Sequence, residues 1–105
     1  MTRSGKNRKK YKSKYNPVTK RRYALKSAYG LSIEEYDRIL LLQDGKCAIC
    51  KTDTPNGRGR FHVDHDHNTE KIRGLLCHHC NLALGNFKDN IHNLLSAIAY
   101  LNREV

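Results

Sequence analysis

The sequence predicts a small α+β domain whose centre is a strand, a second strand and a short helix held between two cysteine pairs. Residues 61–64 alternate apolar and polar side chains, as a half-buried strand does, and residues 71–76 can return as the second strand of a hairpin. Residues 77–87 then form the short helix. The flanking pairs, each spaced Cys-x-x-Cys, are Cys47/Cys50 and Cys77/Cys80.

The four cysteines predict a structural metal site. Zn²⁺ favours a tetrahedron of four such ligands, and two Cys-x-x-Cys turns supply all four and leave no open position. A chain of 105 residues buries little core, so a metal is an expected source of stability. Two disulfides are the alternative. However, residues 1–20 lack the apolar run of a signal peptide, and no stretch approaches membrane-spanning length. We therefore expect a soluble cytoplasmic chain with reduced thiols and no membrane contact.

Positive charge is concentrated at the N-terminus. The net charge is +10, and residues 1–26 carry eleven Lys or Arg without one acidic residue. Such a block favours contact with a polyanion, most simply nucleic acid, with a solvated tail as the alternative. Residues 1–19 are polar and interrupted by Gly5 and Pro17, which predicts a flexible basic arm, and residues 20–105 form the domain.

Two helices are expected between the arm and the first cysteine pair. Helix-forming residues run from Lys20 to Gly30, which suits a left-handed helix end. Ser32 and Glu35 have the spacing of a capping box, and the helix they begin should stop near Gly45.

A further helix is expected from its N-cap Asn90 to Asn102. Its apolar side chains recur at helical spacing, which predicts a face buried in the core. A dimer contact is the alternative, so the expected state is a monomer or a homodimer. The residues of this apolar stripe are Ile91, Leu94, Leu95, Ile98 and Leu101.

Ionisable side chains are dense between the cysteine pairs, where His62 to His67 contain three histidines and two aspartates. Hydrolysis of a phosphodiester needs a base to activate water and a hard cation to stabilise the leaving oxygen. Asp64 and Asn81 offer the oxygen ligands that Mg²⁺ prefers, although Asn81 could instead cap a helix. His65, beside Asp64, is the candidate base. His78 and His79 are expected to be solvent-exposed, and His92 is given no role.

Four segments of the chain form a family pattern: YGLSIEEYD at 29–37, GKCAIC at 45–50, HVDHDHNTEKIRGLLCHHCNLALG at 62–85, and AYL near the end. They resemble the recombination endonuclease VII family of bacteriophages, within the HNH or His-Me finger nucleases. The resemblance covers roughly residues 22–102. It implies a ββα-metal core, a structural Zn²⁺ on the four cysteines, and one catalytic Mg²⁺ or other divalent ion.

By motif position, the resemblance implies that Asp64 and Asn81 bind the catalytic ion and that His65 is the general base. His67 matches a histidine that contacts the scissile phosphate, and His62 matches a further active-site histidine. The function implied is metal-dependent hydrolysis of DNA. The best-known junction-resolving member has a catalytic glutamate at the position of Leu84, so nicking or double-strand cleavage is expected and branched DNA stays open. The alternative function is a non-catalytic, zinc-stabilised nucleic-acid-binding module.

Overall fold

The computed structural model describes residues 16–104 and confirms a small α+β architecture. Those residues form four helices and one antiparallel two-stranded sheet. The chain divides into two compact units, Met1–Leu41 and Leu42–Val105, which are described in turn. In chain order the elements are α1 (Pro17–Tyr29), α2 (Ile33–Leu42), β1 (His62–His65), β2 (Ile72–Leu76), α3 (His78–Asn86) and α4 (Ile91–Asn102).

Helix α1 begins at Pro17, three residues before the predicted start at Lys20. Asn16 is its N-cap, and the Asn16 side chain accepts a hydrogen bond of 2.7 Å from the Thr19 N–H. Proline is well suited to the first helical position because its missing N–H would have no partner there. The helix ends at Gly30 as predicted, with φ at +67°. Residues 1–15, which make up most of the predicted arm, lie outside the described residues.

The first unit is closed by contacts between α1 and α2. The predicted capping box is confirmed, because the Ser32 N–H donates to Glu35 Oε1 at 2.8 Å and the Glu35 N–H donates to Ser32 Oγ at 3.0 Å. The Arg21 guanidinium lies 4.5 Å from the ring centroid of Tyr36. Tyr36 is buried, and the other buried side chains here are Leu25 and Leu31.

The second unit is organised around the hairpin of β1 and β2. Its apolar alternation is confirmed, since Phe61 and Val63 are buried while His62 and Asp64 on the opposite face are half-buried. The tip is a turn in which Asp66 Oδ1 accepts hydrogen bonds from two backbone N–H groups. They belong to Asn68, at 2.8 Å, and Thr69, at 3.2 Å.

A side chain extends the hydrogen bonding of the hairpin. The Gln43 amide accepts from the Leu75 N–H and donates to the Leu75 carbonyl, both at 3.0 Å, as a neighbouring strand would. Gly74 permits this approach, because a Cβ at that position would lie only 3.1 Å from Gln43 Oε1. Leu75 is completely buried and anchors the core of this unit, together with Phe61, Val63, Leu76, Cys47 and Cys77.

The prediction that the apolar face of α4 is buried in the core is wrong. Leu95 and Ile98 are 57% and 56% exposed, and Leu101 is 80% exposed. Helical periodicity identifies an apolar face but not the surface that covers it, and within the described residues this face is largely open. The dimer alternative stays a prediction. No helix among residues 16–104 is long and apolar enough to span a membrane.

Candidate metal centre and neighbouring histidines

The four cysteines come together as their spacing predicts. One sulfur from each, all within 4.8 Å of one another, could hold a single metal ion. All four are free cysteines, so neither alternative disulfide is formed. Cys50 Sγ and Cys77 Sγ lie 3.7 Å apart. Tetrahedral zinc with Zn–S bonds of about 2.3 Å would separate its sulfurs by about 3.8 Å, so the cluster fits Zn²⁺.

Two turns present these sulfurs. Cys47 Sγ accepts a hydrogen bond from the Ile49 N–H, and Cys77 Sγ accepts one from the Cys80 N–H, each at 3.4 Å. Cys77 is also the N-cap of α3, so the second turn leads directly into that helix. The Ala48 N–H donates to the Leu75 carbonyl at 3.1 Å, which joins the first turn to β2. The four-cysteine cluster thus joins the loop before β1 to the start of α3.

The thiols of the cluster differ in acidity. Burial acts to raise the pKa of Cys47, but backbone N–H groups, first that of Cys77, outweigh it and lower the pKa to about 6. Burial and hydrogen bonds with the other thiols raise the pKa of Cys80 to about 12. Binding of Zn²⁺ would therefore displace protons from the cluster.

Asp64 is held by an arginine on the facing strand. Arg73 Nε donates to Asp64 Oδ2 at 2.8 Å, and Arg73 Nη2 donates to Asp64 Oδ1 at 3.0 Å. The same Nη2 donates to Asp89 Oδ2 at 3.1 Å. The Asp64 side chain is only 15% exposed. Its carboxylate is therefore fixed in orientation on the polar face of the hairpin.

Three histidines of the motif lie in and just after β1. The rings of His65 and His67 have centroids 4.9 Å apart. His62 Nε2 is buried and has no hydrogen-bond partner among the described residues. The centroid of its ring lies 5.7 Å from that of His78. His78 is half-buried, so the prediction that it is solvent-exposed is wrong. His79 is exposed, as expected.

The loop before β1 covers His78. The His78 N–H donates to the Pro55 carbonyl at 2.8 Å. Gly57 approaches the imidazole so closely that a Cβ there would lie 2.9 Å from His78 Nδ1. The turn-rich loop is thereby attached to the first residue of α3.

Asn81 lies in the first half of α3, a helix that contacts both strands. The helix cap is Cys77, and the Asn81 N–H donates to the Cys77 carbonyl at 3.0 Å as an ordinary helical residue. The alternative of Asn81 as a cap is therefore wrong. Asn81 is half-buried, and its side-chain amide is not used in capping the helix.

The sequence model of recombination endonuclease VII matches residues 9–103, which is most of the chain. The chain belongs to the recombination endonuclease VII family. It is 47% identical over 79 residues to the Gene 59 protein of Mycobacterium phage D29, covering 73% of this chain and 47% of that protein. It is 44% identical over 77 residues to the Gene 59 protein of Mycobacterium phage L5, covering 71% of this chain and 46% of that protein. The chain spans about half the length of these relatives.

Two charged residues near the site of this endonuclease VII family chain, Arg73 and Asp89, were not predicted from the sequence. Arg73 lies in the central motif, at a position where the pairing of β1 with β2 shifts by one residue. Asp89 lies in a turn after α3. An aspartate and an arginine of opposite charge on the two predicted strands were a signal for the first pairing. The contact with Asp89 had no comparable signal because it depends on how the turn folds back.

Proposed function

We propose that this chain is a metal-dependent DNA endonuclease with an HNH-type, ββα-metal core. The observation that carries the proposal is the arrangement of β1. In a chain of the endonuclease VII family, β1 presents Asp64 and His65 consecutively on a hairpin whose neighbouring segments are joined by a four-cysteine cluster. A module that only bound DNA would not need a fixed carboxylate beside a histidine.

Asp64 and Asn81 fit a hard divalent cation as ligands. Both offer oxygen atoms, and a carboxylate has about four acceptor positions, so the two hydrogen bonds from Arg73 leave Asp64 able to bind further. Mg²⁺ uses one or two such protein ligands and keeps several waters. When bound, the ion would supply charge stabilisation to the phosphate and the leaving oxygen.

The histidines have separate proposed roles. His65 takes a proton from the attacking water, a role that suits an imidazole near neutral pH. His67, whose ring lies close to that of His65, contacts the scissile phosphate. The buried Nε2 of His62, which has no partner among the described residues, assists on the same face. The four cysteines keep a structural Zn²⁺ and leave it no catalytic position.

The substrate is DNA, cut on one or both strands, and the basic arm of residues 1–19 adds contacts to phosphates. The nuclease domain comprises residues 20–105. Action in the cytoplasm of a host cell without membrane contact belongs to the same proposal, as does a monomeric or homodimeric state. Branched DNA stays an open alternative substrate, because Leu84 stands where the junction-resolving family member has a catalytic glutamate.

The test is cleavage of supercoiled plasmid by the zinc-loaded chain. We expect nicked or linear product with Mg²⁺, none when Mg²⁺ is left out, and product formation slower by roughly 100-fold or more from the His65→Ala variant. Zinc content measured on each sample separates loss of the catalytic ion from loss of the fold. DNA binding without cleavage under every metal tested would instead favour the non-catalytic binding module.

A further inference from the structure

A β-bulge aims Arg73 at the polar face of the hairpin. Asp64 pairs with Gly74 and His65 pairs with Ile72, so Arg73 is an extra residue in β2 without an opposite partner. Bulges of this kind redirect a side chain and often lie beside functional sites. Here the result is the two-point ion pair with Asp64, a geometry that a planar guanidinium forms and an ammonium cannot.

Asp89 accepts a further hydrogen bond from the same guanidinium. It follows α3, and its N–H donates to the Leu84 carbonyl of that helix at 3.0 Å. Both Lys88 and Asp89 adopt left-handed backbone, with φ of +54° and +55°, which is uncommon for residues other than glycine. This turn places the Asp89 carboxylate 3.1 Å from Arg73 Nη2. Arg73 therefore connects β1, which carries Asp64, to the turn that follows the helix carrying Asn81.

The charges of the three residues favour a cation. One guanidinium between two carboxylates leaves a net charge of −1, so Asp89 offsets the positive charge that Arg73 brings close to Asp64. Arg73 donates hydrogen bonds to both carboxylates, and an arginine side chain keeps its charge at every relevant pH. The arrangement can orient the Asp64 carboxylate without cancelling its attraction for a divalent ion.

We propose that Arg73 is a positioning residue that fixes the Asp64 carboxylate for a bound divalent cation, and that Asp89 offsets the guanidinium charge. This inference rests on the proposed role of Asp64 as a cation ligand. Partners that orient metal ligands in this way are worth roughly 10- to 100-fold in metal affinity.

The experiment measures binding of Mn²⁺, which shares the oxygen preference of Mg²⁺, to the zinc-loaded full chain without DNA. Free Mn²⁺ is followed by electron paramagnetic resonance. Arg73→Lys keeps the charge and loses the two-point geometry, so we expect roughly 10-fold weaker binding or more. Asp89→Asn should weaken binding by a smaller factor, because Arg73 keeps its bonds to Asp64 but its charge is no longer offset. The matched controls are Arg58→Lys and Asp37→Asn, at exposed positions away from Asp64, Arg73 and Asp89 in the sequence. Both variants should bind Mn²⁺ like the unmodified chain.

The outcomes separate the positioning role of Arg73 from the cation site at Asp64. Unchanged or tighter Mn²⁺ binding by Arg73→Lys, with Asp64→Ala losing it, would overturn the positioning role and leave the proposed function standing. Unchanged binding by Asp64→Ala would remove the cation site itself, and both proposals would fall together. If Arg73→Lys lost zinc through misfolding, Asp89→Asn would serve as the test, and wild-type affinity in that variant would overturn the inference.

Discussion

Cys50 and Cys77 are separated by 27 positions in the chain, yet their sulfur atoms lie 3.7 Å apart. That separation agrees with two sulfurs of one tetrahedral zinc site. The remaining two sulfurs lie within the same small cluster, so a metal bound there would supply part of the stability that a larger core would give.

We therefore expect one zinc per chain and extensive unfolding of residues 45–90 when Cys77 is replaced by serine. Cys77 is 1% exposed and caps α3, so its loss removes a ligand and a helix cap together. Elemental analysis should give one zinc per unmodified chain, and circular dichroism should show the loss of structure in Cys77→Ser. Substitution by Co²⁺ should give thiolate charge-transfer bands. Folded protein without zinc would contradict the prediction.

Replacement of His65 by alanine should lower the cleavage rate by roughly 100-fold or more, as expected for loss of a general base. Zinc content and the far-ultraviolet spectrum should not change, because His65 lies outside the cysteine cluster. Single-turnover cleavage measured between pH 6 and 9 checks this. The matched control is His92→Ala on the exposed surface of α4, which should cleave normally. Near-normal rates for His65→Ala would remove it from the role of base.

Local rules predicted much of this fold. The capping box of Ser32 and Glu35 and the meeting of the cysteine pairs depend on short spacings that fix their own geometry. The bulge at Arg73 was not predictable, because the last three residues of β2, Gly-Leu-Leu, are all buried and do not alternate, so the hydrophobic pattern does not specify one register. The open face of α4 was missed for a related reason, since periodicity does not specify a covering partner.

Replacement of Asn81 by alanine should weaken binding of the catalytic cation, so that a higher Mg²⁺ concentration recovers part of the rate. Loss of one of two oxygen ligands acts on metal affinity more than on the reactivity of the base. Cleavage rates titrated with Mg²⁺ test this, with Asn93→Ala, an exposed asparagine on α4, as the control. An unchanged Mg²⁺ dependence would leave Asn81 without a role as ligand.

The capping box should be sensitive to pH. Hydrogen bonds from the Ser32 backbone N–H and, next in effect, from its hydroxyl lower the pKa of Glu35 from its ordinary value of 4.5. A lowered carboxyl pKa stabilises the fold fully above about pH 4.5, and the contribution is lost as the pH falls through the folded value. Ser32→Ala removes the hydroxyl, so the pKa of Glu35 should rise toward 4.5. Carboxyl ¹³C shifts during acid titration measure it.

The matched control for this titration is Ser27→Ala on the exposed surface of α1. That substitution should leave the Glu35 titration unchanged. Identical Glu35 titrations in Ser32→Ala and the unmodified chain would show that the hydroxyl contributes nothing to the capping box.

Deletion of the N-terminal arm should weaken DNA binding broadly while sparing the chemistry. The helix cap at Asn16 sets the safe boundary, so the variant should lack residues 1–15 and keep α1 complete. The deleted segment holds seven Lys or Arg and no acidic residue. Each contact with a phosphate of duplex DNA changes the slope of log K against log salt by about 0.9, so if half of these cations bind phosphates the slope should fall by roughly 3.

Lys and Arg in such an arm would contact phosphates and not base edges, so sequence preference should change little. The rate at saturating DNA should also stay close to that of the full chain, because Asp64, His65 and Asn81 are positioned by the hairpin, α3 and the cysteine cluster, none of which contains arm residues. Binding isotherms at several salt concentrations test the slope, and single-turnover cleavage at saturating DNA tests the rate. An unchanged slope would reduce the arm to a solubility tail, whereas a collapsed saturating rate would mean that the arm helps to form the active site.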